Sequence, residues 1–417
     1  MTRLPRVTTA AVALGSFAIV GLHIVDDSFL QPEPGTSALD HLAGGLVPLA
    51  ALGLATVGYR RGRAGVRATI ALIVGVLALV IGAASAGYTT ITVGASGDDF
   101  TGLLALPAGL ALIGVGIWTL WSSRKLGDRR RRRYTRRTFI AVAAAIVANF
   151  VLFPLGFSYV IAHVMRQTVP AANLGAAHEG VSFKTSDGLE LRGWYVPSKN
   201  GAAVIAYPGR SGPRAHTRML VRHGYGVLLF DRRGEGESDG DSNLLGWGGD
   251  KDILAAIAFL QARPDVDPER IGGIGLSVGG ELMLQAAAET DELAAVVSEG
   301  AGSRVFSEIM QEYDGLERAL IAPQALIMMA GTAVFSSTAP PPSLTELAPK
   351  IEQPLFVIWA PNGGNVEHMS REYYELANGP KQIWAMPTAK HVGGIRDQPA
   401  EYERRVVGFF DRTLLES

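Results

Sequence analysis

The segment Gly275-Leu276-Ser277-Val278-Gly279 combines residue types and a spacing that make a nucleophile. A serine hydroxyl attacks a carbonyl only when it is exposed and its proton has somewhere to go. An apolar stretch, Ile271 to Leu276, runs into this serine, and a helix-forming stretch, Glu281 to Ala288, follows it. A strand that turns sharply into a helix holds the residue at the turn in a strained backbone conformation. Glycines two before and two after it let the neighbouring backbone close in, and the helix N-terminus favours developing negative charge. In a chain with 50 glycines a bare Gly-x-Ser-x-Gly also arises by chance as an ordinary turn. The strand before it and the helix after it give this match its weight.

The elements that must position Ser277 are legible around it. Gly180 to Lys184 and Leu189 to Val196 flank Ser186-Asp187-Gly188, which predicts a hairpin. Short apolar strands are expected at Ala202 to Tyr207, Gly226 to Phe230, Ile271 to Leu276, Ala294 to Ser298, Pro354 to Ala360 and Gln382 to Met386. Helices are expected between and after them at Pro213 to His223, Gly249 to Ala262, Glu281 to Ala288, Ser370 to Ala377 and Pro399 to Leu415. Alternation of this kind means a mostly parallel sheet with helices on both faces, which carries its active site at the carboxyl ends of the strands.

With those elements in place, three segments carry a resemblance. They are Phe230-Asp231-Arg232-Arg233-Gly234-Glu235-Gly236-Glu237-Ser238, Arg270-Ile271-Gly272 leading into the serine turn, and Thr388-Ala389-Lys390-His391-Val392-Gly393-Gly394. The region from about Gly180 to Leu415 resembles the α/β-hydrolase superfamily, near its dienelactone-hydrolase-like and prolyl-oligopeptidase-like branch. The Asp-x-Arg-Gly-x-Gly-x-Ser segment is a structural signature of that fold, with no catalytic role assigned to it.

The resemblance implies an order of nucleophile, acid and histidine. His391 lies between the last strand and the last helix, where the general base belongs; His368 precedes that strand, in the acid's segment. The acid is expected after the Pro354 to Ala360 strand, and there Glu367 is the carboxylate available; Glu299, in Ser298-Glu299-Gly300, is the alternative. Either can hold an imidazole tautomer and stabilise imidazolium. One oxyanion donor is the Val278 N–H. The other is expected after the Ala202 to Tyr207 strand, where Pro208 has no N–H, so Arg210 is favoured and Gly209 is the second choice. The sequence departs from the superfamily in reading Pro208-Gly209 for the usual His-Gly, and in lacking the usual aspartate. The insertion 301–351, with Met310, Met328, Met329, Phe335 and Pro340 to Pro342, is expected as a cap shaping an acyl pocket, with ordinary core packing as the alternative.

The first 165 residues are of another kind. Five long apolar runs, Thr8 to Val25, His41 to Gly58, Ala68 to Ile91, Thr101 to Trp121 and Thr138 to Val164, each approach or exceed the roughly 20 residues that cross a bilayer. The first is read as an anchor, although a signal peptide has similar composition. The stretch up to Met165 has 15 Lys and Arg, and these lie only in the N-terminal tail and in the second and fourth loops, ending with Arg129 to Arg133, Arg136 and Arg137. The first and third loops carry Asp26, Asp27, Glu33, Asp40, Asp98 and Asp99 and no basic residue. Positive loops stay in the cytoplasm, so five spans put everything after Val164 outside. The arginine run reads as a topology signal with anionic-lipid contact rather than a nucleic-acid patch. His23, His41 and His163 sit near predicted span ends, where interfacial solvation explains them more simply than a metal or proton site. No run carries a charge at its middle, which disfavours a transporter.

The remaining 252 residues carry a net charge of −9, which argues against nucleic acid. The chain has no cysteine, which excludes disulfides, thiolate catalysis and cysteine-bound zinc. The expectation is a five-span helical bundle, 1–165, followed by an extracytoplasmic α/β-hydrolase domain, 166–417. It would act as a serine hydrolase on an ester, thioester or amide, with a small-molecule or lipid-like acyl substrate, membrane lipids as partners, and neither metal nor organic cofactor. A catalytically silent hydrolase fold serving as a binding or sensor module is the alternative.

Overall fold

The computed structural model describes residues 6–87, 90–91, 97–123, 130–164, 166, 169–364 and 367–416. Arg3, Arg124, Lys125 and Arg129 of the positive loops, and Asn365 and Val366 ahead of Glu367, lie outside the described residues. The chain forms two compact units. The first is Met1–Met165 with Leu320–Thr338; the second is Arg166–Ala319 with Ala339–Ser417.

The first unit contains α1 (Arg6–Val25), α2 (Leu42–Arg61), α3 (Ala64–Val80), α4 (Asp99–Ser122), α5 (Arg130–Val147) and α6 (Phe153–Ala162). α3 and α4 pack through small residues: Ala68, Ala71, Gly75 and Ala78 on one, Gly102, Ala105, Gly109 and Gly116 on the other. Small side chains let two helix backbones approach where apolar surroundings give no hydrophobic drive for association. Leu104, Leu110 and Ile117 of α4 point outward. Among the described residues, six helical segments are long and apolar enough to cross a membrane, one more than the sequence reading found. The sixth is Gly315–Phe335, inside the insertion expected as a cap.

In the second unit, the hairpin is β1 (Glu179–Lys184) with β2 (Glu190–Val196). Then come β3 (Ala203–Tyr207), α7 (Arg214–Arg222), β4 (Gly226–Phe230), α8 (Asp250–Gln261), β5 (Ile271–Leu276), α9 (Val278–Glu289) and β6 (Ala295–Glu299). The insertion follows, with α10 (Gly315–Phe335), which from Leu320 onward belongs to the first unit; then come β7 (Leu355–Trp359), α11 (His368–Leu376), β8 (Lys381–Ala385) and α12 (Pro399–Phe410). The strands form one sheet in the order β1-β2-β4-β3-β5-β6-β7-β8. β1, β2 and β4 pair antiparallel, and from β4 onward every pairing is parallel.

β3, β4, β5 and β6 are buried along their whole length, as expected of strands covered on both faces. One core lies under α8, α9 and α11, with Ile253, Ile257, Met283 and Tyr373. The other lies under α7 and α12, with Leu220, Tyr402, Val406 and Phe410. The register of β5 on β6 sets Leu276 opposite Glu299, and Ser277 donates its backbone N–H to the Glu299 carbonyl at 2.8 Å. That bond ties the serine turn to the end of β6.

Candidate active site

Ser277 stands between β5 and α9 with φ 53° and ψ −123°. A non-glycine residue there costs about 1–3 kcal/mol, and such strain persists only where the surroundings over-determine it. The surroundings here are backbone. A Cβ on Gly275 would lie 2.1 Å from the Gly279 carbonyl oxygen, and one on Gly279 would lie 2.7 Å from that of Tyr207. The two glycines therefore let β5, α9 and the end of β3 meet, and the turn holds the serine hydroxyl toward the loop that follows β8.

That loop brings His391. Its Nε2 lies 2.9 Å from Ser277 Oγ and its Nδ1 lies 2.6 Å from Glu367 Oε1. The network sets the tautomer: Nδ1–H donates to the carboxylate, and Nε2 accepts from the hydroxyl. Val392, the next residue, is β-branched and has φ 44°. A second strained residue thus sits beside His391. Glu367 is 1 % exposed, at the start of α11, and its other oxygen accepts the Ala360 N–H at 2.9 Å. The hydrogen bond to Glu367 raises the His391 pKa above its ordinary value, against burial, which lowers it.

Glu299, the alternative acid, is occupied elsewhere. Its carboxylate accepts from Tyr402 Oη at 2.5 Å and from the Gly394 N–H at 3.0 Å. It therefore anchors the far side of the histidine loop. Tyr402 also meets His216, whose Nε2 is 3.1 Å from its hydroxyl. His368 opens α11 with its ring against Trp359.

The oxyanion donors require a correction. Val278 is the first residue of α9, so its N–H has no partner within the helix. The favoured second donor, the Arg210 N–H, is spent on Asp231 Oδ1 at 3.0 Å. The Arg210 guanidinium is buried, donates from Nε to Asp231 Oδ2 at 2.7 Å and from Nη2 to Glu237 at 2.6 Å, and lies over the Trp194 ring. Arg210 is thus a brace for its loop. The N–H of Gly209, the second choice, meets no acceptor among the described residues. Asp231 sits in the Asp-x-Arg-Gly segment expected as a structural signature, and its pairing with Arg210 is the part that the sequence does not reveal. Ser238, the last residue of that signature, closes the turn by donating to the Asp231 carbonyl at 2.8 Å.

A serine at the end of a parallel strand, a histidine and a buried carboxylate in hydrogen-bonded sequence are the parts of acyl-transfer chemistry. Comparison with known proteins gives the fold and the family. The YfhR protein of Escherichia coli K12, itself uncharacterized, is 28% identical over 250 residues, covering 55% of this chain and 80% of its own length. The polyketide transferase grgF of Penicillium sp. is 34% identical over 126 residues, 28% of this chain and 43% of that protein. Among solved structures, the esterase Pf2001 of Pyrococcus furiosus matches 60% of this chain and 98% of its own, at 23% identity and a TM-score of 0.50, a likeness of fold. The family model described as X-Pro dipeptidyl-peptidase (S15 family) matches residues 163–384, more than half of the chain. The chain belongs to the S15 peptidase family and is a hydrolase of the α/β fold.

Proposed function

We propose that this protein is a membrane-anchored serine hydrolase that cleaves an ester, thioester or amide outside the cytoplasm through an acyl-enzyme. The observation that carries the reading is the hydrogen-bonded series Ser277–His391–Glu367. Ser277 Oγ attacks the substrate carbonyl as its proton passes to His391 Nε2, and Glu367 stabilises the imidazolium. The N–H groups of Val278 and Gly209 receive the charge that develops on the carbonyl oxygen. His391 then protonates the leaving group. Water, deprotonated by the same imidazole, releases the acid and restores the serine. The apolar helices of the first unit support the anchor, and the distribution of loop charges supports the orientation.

A fluorophosphonate probe should label the full-length protein in membranes, and Ser277→Ala should abolish the labelling. Full labelling of Ser277→Ala would remove the nucleophile from this reading. His391→Ala should lower turnover by several orders of magnitude. The family is that of X-Pro dipeptidyl-peptidase, and a structural likeness is an esterase. A panel of acyl esters of increasing chain length beside Xaa-Pro dipeptidyl anilides separates those substrate classes.

A further inference from the structure

The composition of α10 conflicts with its connectivity. It has the length and apolarity of a bilayer span, and from Ala319 to Thr345 the sequence carries no charged residue. Yet the strands on either side of it are neighbours. β6 pairs with β7 from Val296↔Leu355 to Glu299↔Ile358, and Ser277, before the helix, is hydrogen-bonded to His391, after it. A single crossing would leave the two halves of that sheet on opposite sides of a membrane. A return by the eight residues between Phe335 and Leu344 is excluded. Even fully extended they reach only about 32 Å, barely the roughly 30 Å core, and would leave their backbone unpaired in hydrocarbon.

The two feet of the excursion are instead tied together. Glu308, fully buried, accepts the Arg304 N–H at 2.8 Å with one oxygen and Ser343 Oγ at 3.1 Å with the other, which also takes the Leu344 N–H. Arg304 Nη2 reaches the Pro342 carbonyl at 2.9 Å. Between these feet, Leu320–Thr338 belongs to the first unit: Phe335 lies edge-on to Tyr159 at 5.4 Å, and Gly331 lies against Ser158 and Leu155 of α6. One face of α10, with Ala325, Met329 and Thr332, is buried. The other is an exposed apolar stripe at helical spacing, Leu316, Leu320, Pro323, Leu326 and Ala330, with the three leucines 77 %, 49 % and 57 % exposed.

We propose that α10 is a membrane-inserted helix that enters and leaves the bilayer from one side, with this stripe against lipid acyl chains. Acyl chains are the occupant because the segment is part of the unit that holds the five other candidate spans, and because the stripe offers no charge to a polar partner. The proposal rests on the reading of that unit as membrane spans.

The chain has no cysteine, so single-cysteine variants of the full-length protein report position directly. In membranes, an impermeant maleimide should label Asp314→Cys and Ala339→Cys from the same face. It should label Leu320→Cys and Leu326→Cys at least about tenfold more slowly, and a fluorophore placed at those two positions should be quenched by lipids brominated in their acyl chains. Fluorophosphonate labelling of each variant shows that it is folded. Flanks labelled from opposite faces overturn the proposal, as does Leu326→Cys labelling at the rate of Ala339→Cys without lipid quenching. Protection that arises from Leu320→Cys cross-linking between two copies overturns it in favour of a dimer. Protein released by alkaline carbonate removes the anchor and this proposal together; protein retained with a water-exposed Leu326→Cys removes this proposal alone.

Discussion

At the scale of single residues, the carboxylate partner of His391 gives the most discriminating test. Glu367 receives two N–H donors, His391 Nδ1–H on one oxygen and the Ala360 amide on the other. A glutamine can accept only one of them and turns an NH2 group toward the second. Glu367→Gln is therefore expected to misplace the imidazole or its proton and to lower turnover by about 10⁴-fold, in line with the serine-protease aspartate-to-asparagine change. Glu299→Gln keeps an acceptor for the Gly394 N–H and leaves the His391–Glu367 bond intact, so its loss should be far smaller. Equal or reversed losses would move the acid to β6. A pH profile adds an independent reading. The base must be neutral to accept the serine proton, so activity falls as pH drops through the raised His391 value. Without the carboxylate that raise is gone, and the acid limb of the residual kcat/KM profile of Glu367→Gln should lie at lower pH than that of the unaltered protein.

At the scale of elements, the histidine loop and the loop after β3 that holds the proposed oxyanion donor are each held by a buried carboxylate distant in sequence. Glu299 holds the first through Gly394, and Asp231 holds the second through Arg210. Asp231→Ala would leave a buried guanidinium with Glu237 as its remaining carboxylate. Breaking a buried pair on one side costs about 3–5 kcal/mol. The variant should denature at lower temperature or denaturant, and in the folded fraction kcat should fall more than KM rises, because Gly209 is no longer braced. An unchanged kcat would separate Gly209 from the oxyanion. Elements and chemistry differ in how legible they are. All eight strands show in the sequence as short β-branched and apolar runs, and Ser277, His391 and Glu367 are legible because each occupies a loop that the strand pattern already defines. The assignment of the Arg210 N–H fails because a sequence does not reveal that a donor is spent on a side chain 21 residues later. α10 escapes notice for a different reason. Glu317 and Arg318 open it and Pro323-Gln324 interrupt it, so its apolar run falls short of the length that marks the five earlier ones.

At the scale of the whole molecule, parity and charge must agree. If each of the five candidate spans that precede Arg166 crosses, as proposed, the chain passes the membrane an odd number of times, and α10 adds no crossing because β6 and β7 pair on either side of it. On the proposed anchoring, the parity of five crossings puts the second unit on the face opposite the N-terminus, whichever face that is. The charge pattern chooses between the two faces. Of 15 basic residues up to Met165, none lies in the first or third loop, while Asp26, Asp27, Asp98 and Asp99 do. Basic loops resist translocation, at short range and regardless of the −9 net charge of the long hydrolase unit. A reporter that matures only outside the cytoplasm should thus be active when fused after Ser417 and inactive when placed in the arginine loop before α5. Neutralising Arg60, Arg61, Arg63 and Arg67 should weaken the asymmetry and send a measurable fraction of Ser417 fusions to the other face. A cytoplasmic reporter that is active at Ser417 in the unaltered chain would overturn the orientation while leaving Ser277, His391 and Glu367 in place. The remaining test is then external protease: in spheroplasts it should cut after Arg166 and spare the arginine run Arg129 to Arg133, and the opposite pattern would put the hydrolase unit in the cytoplasm.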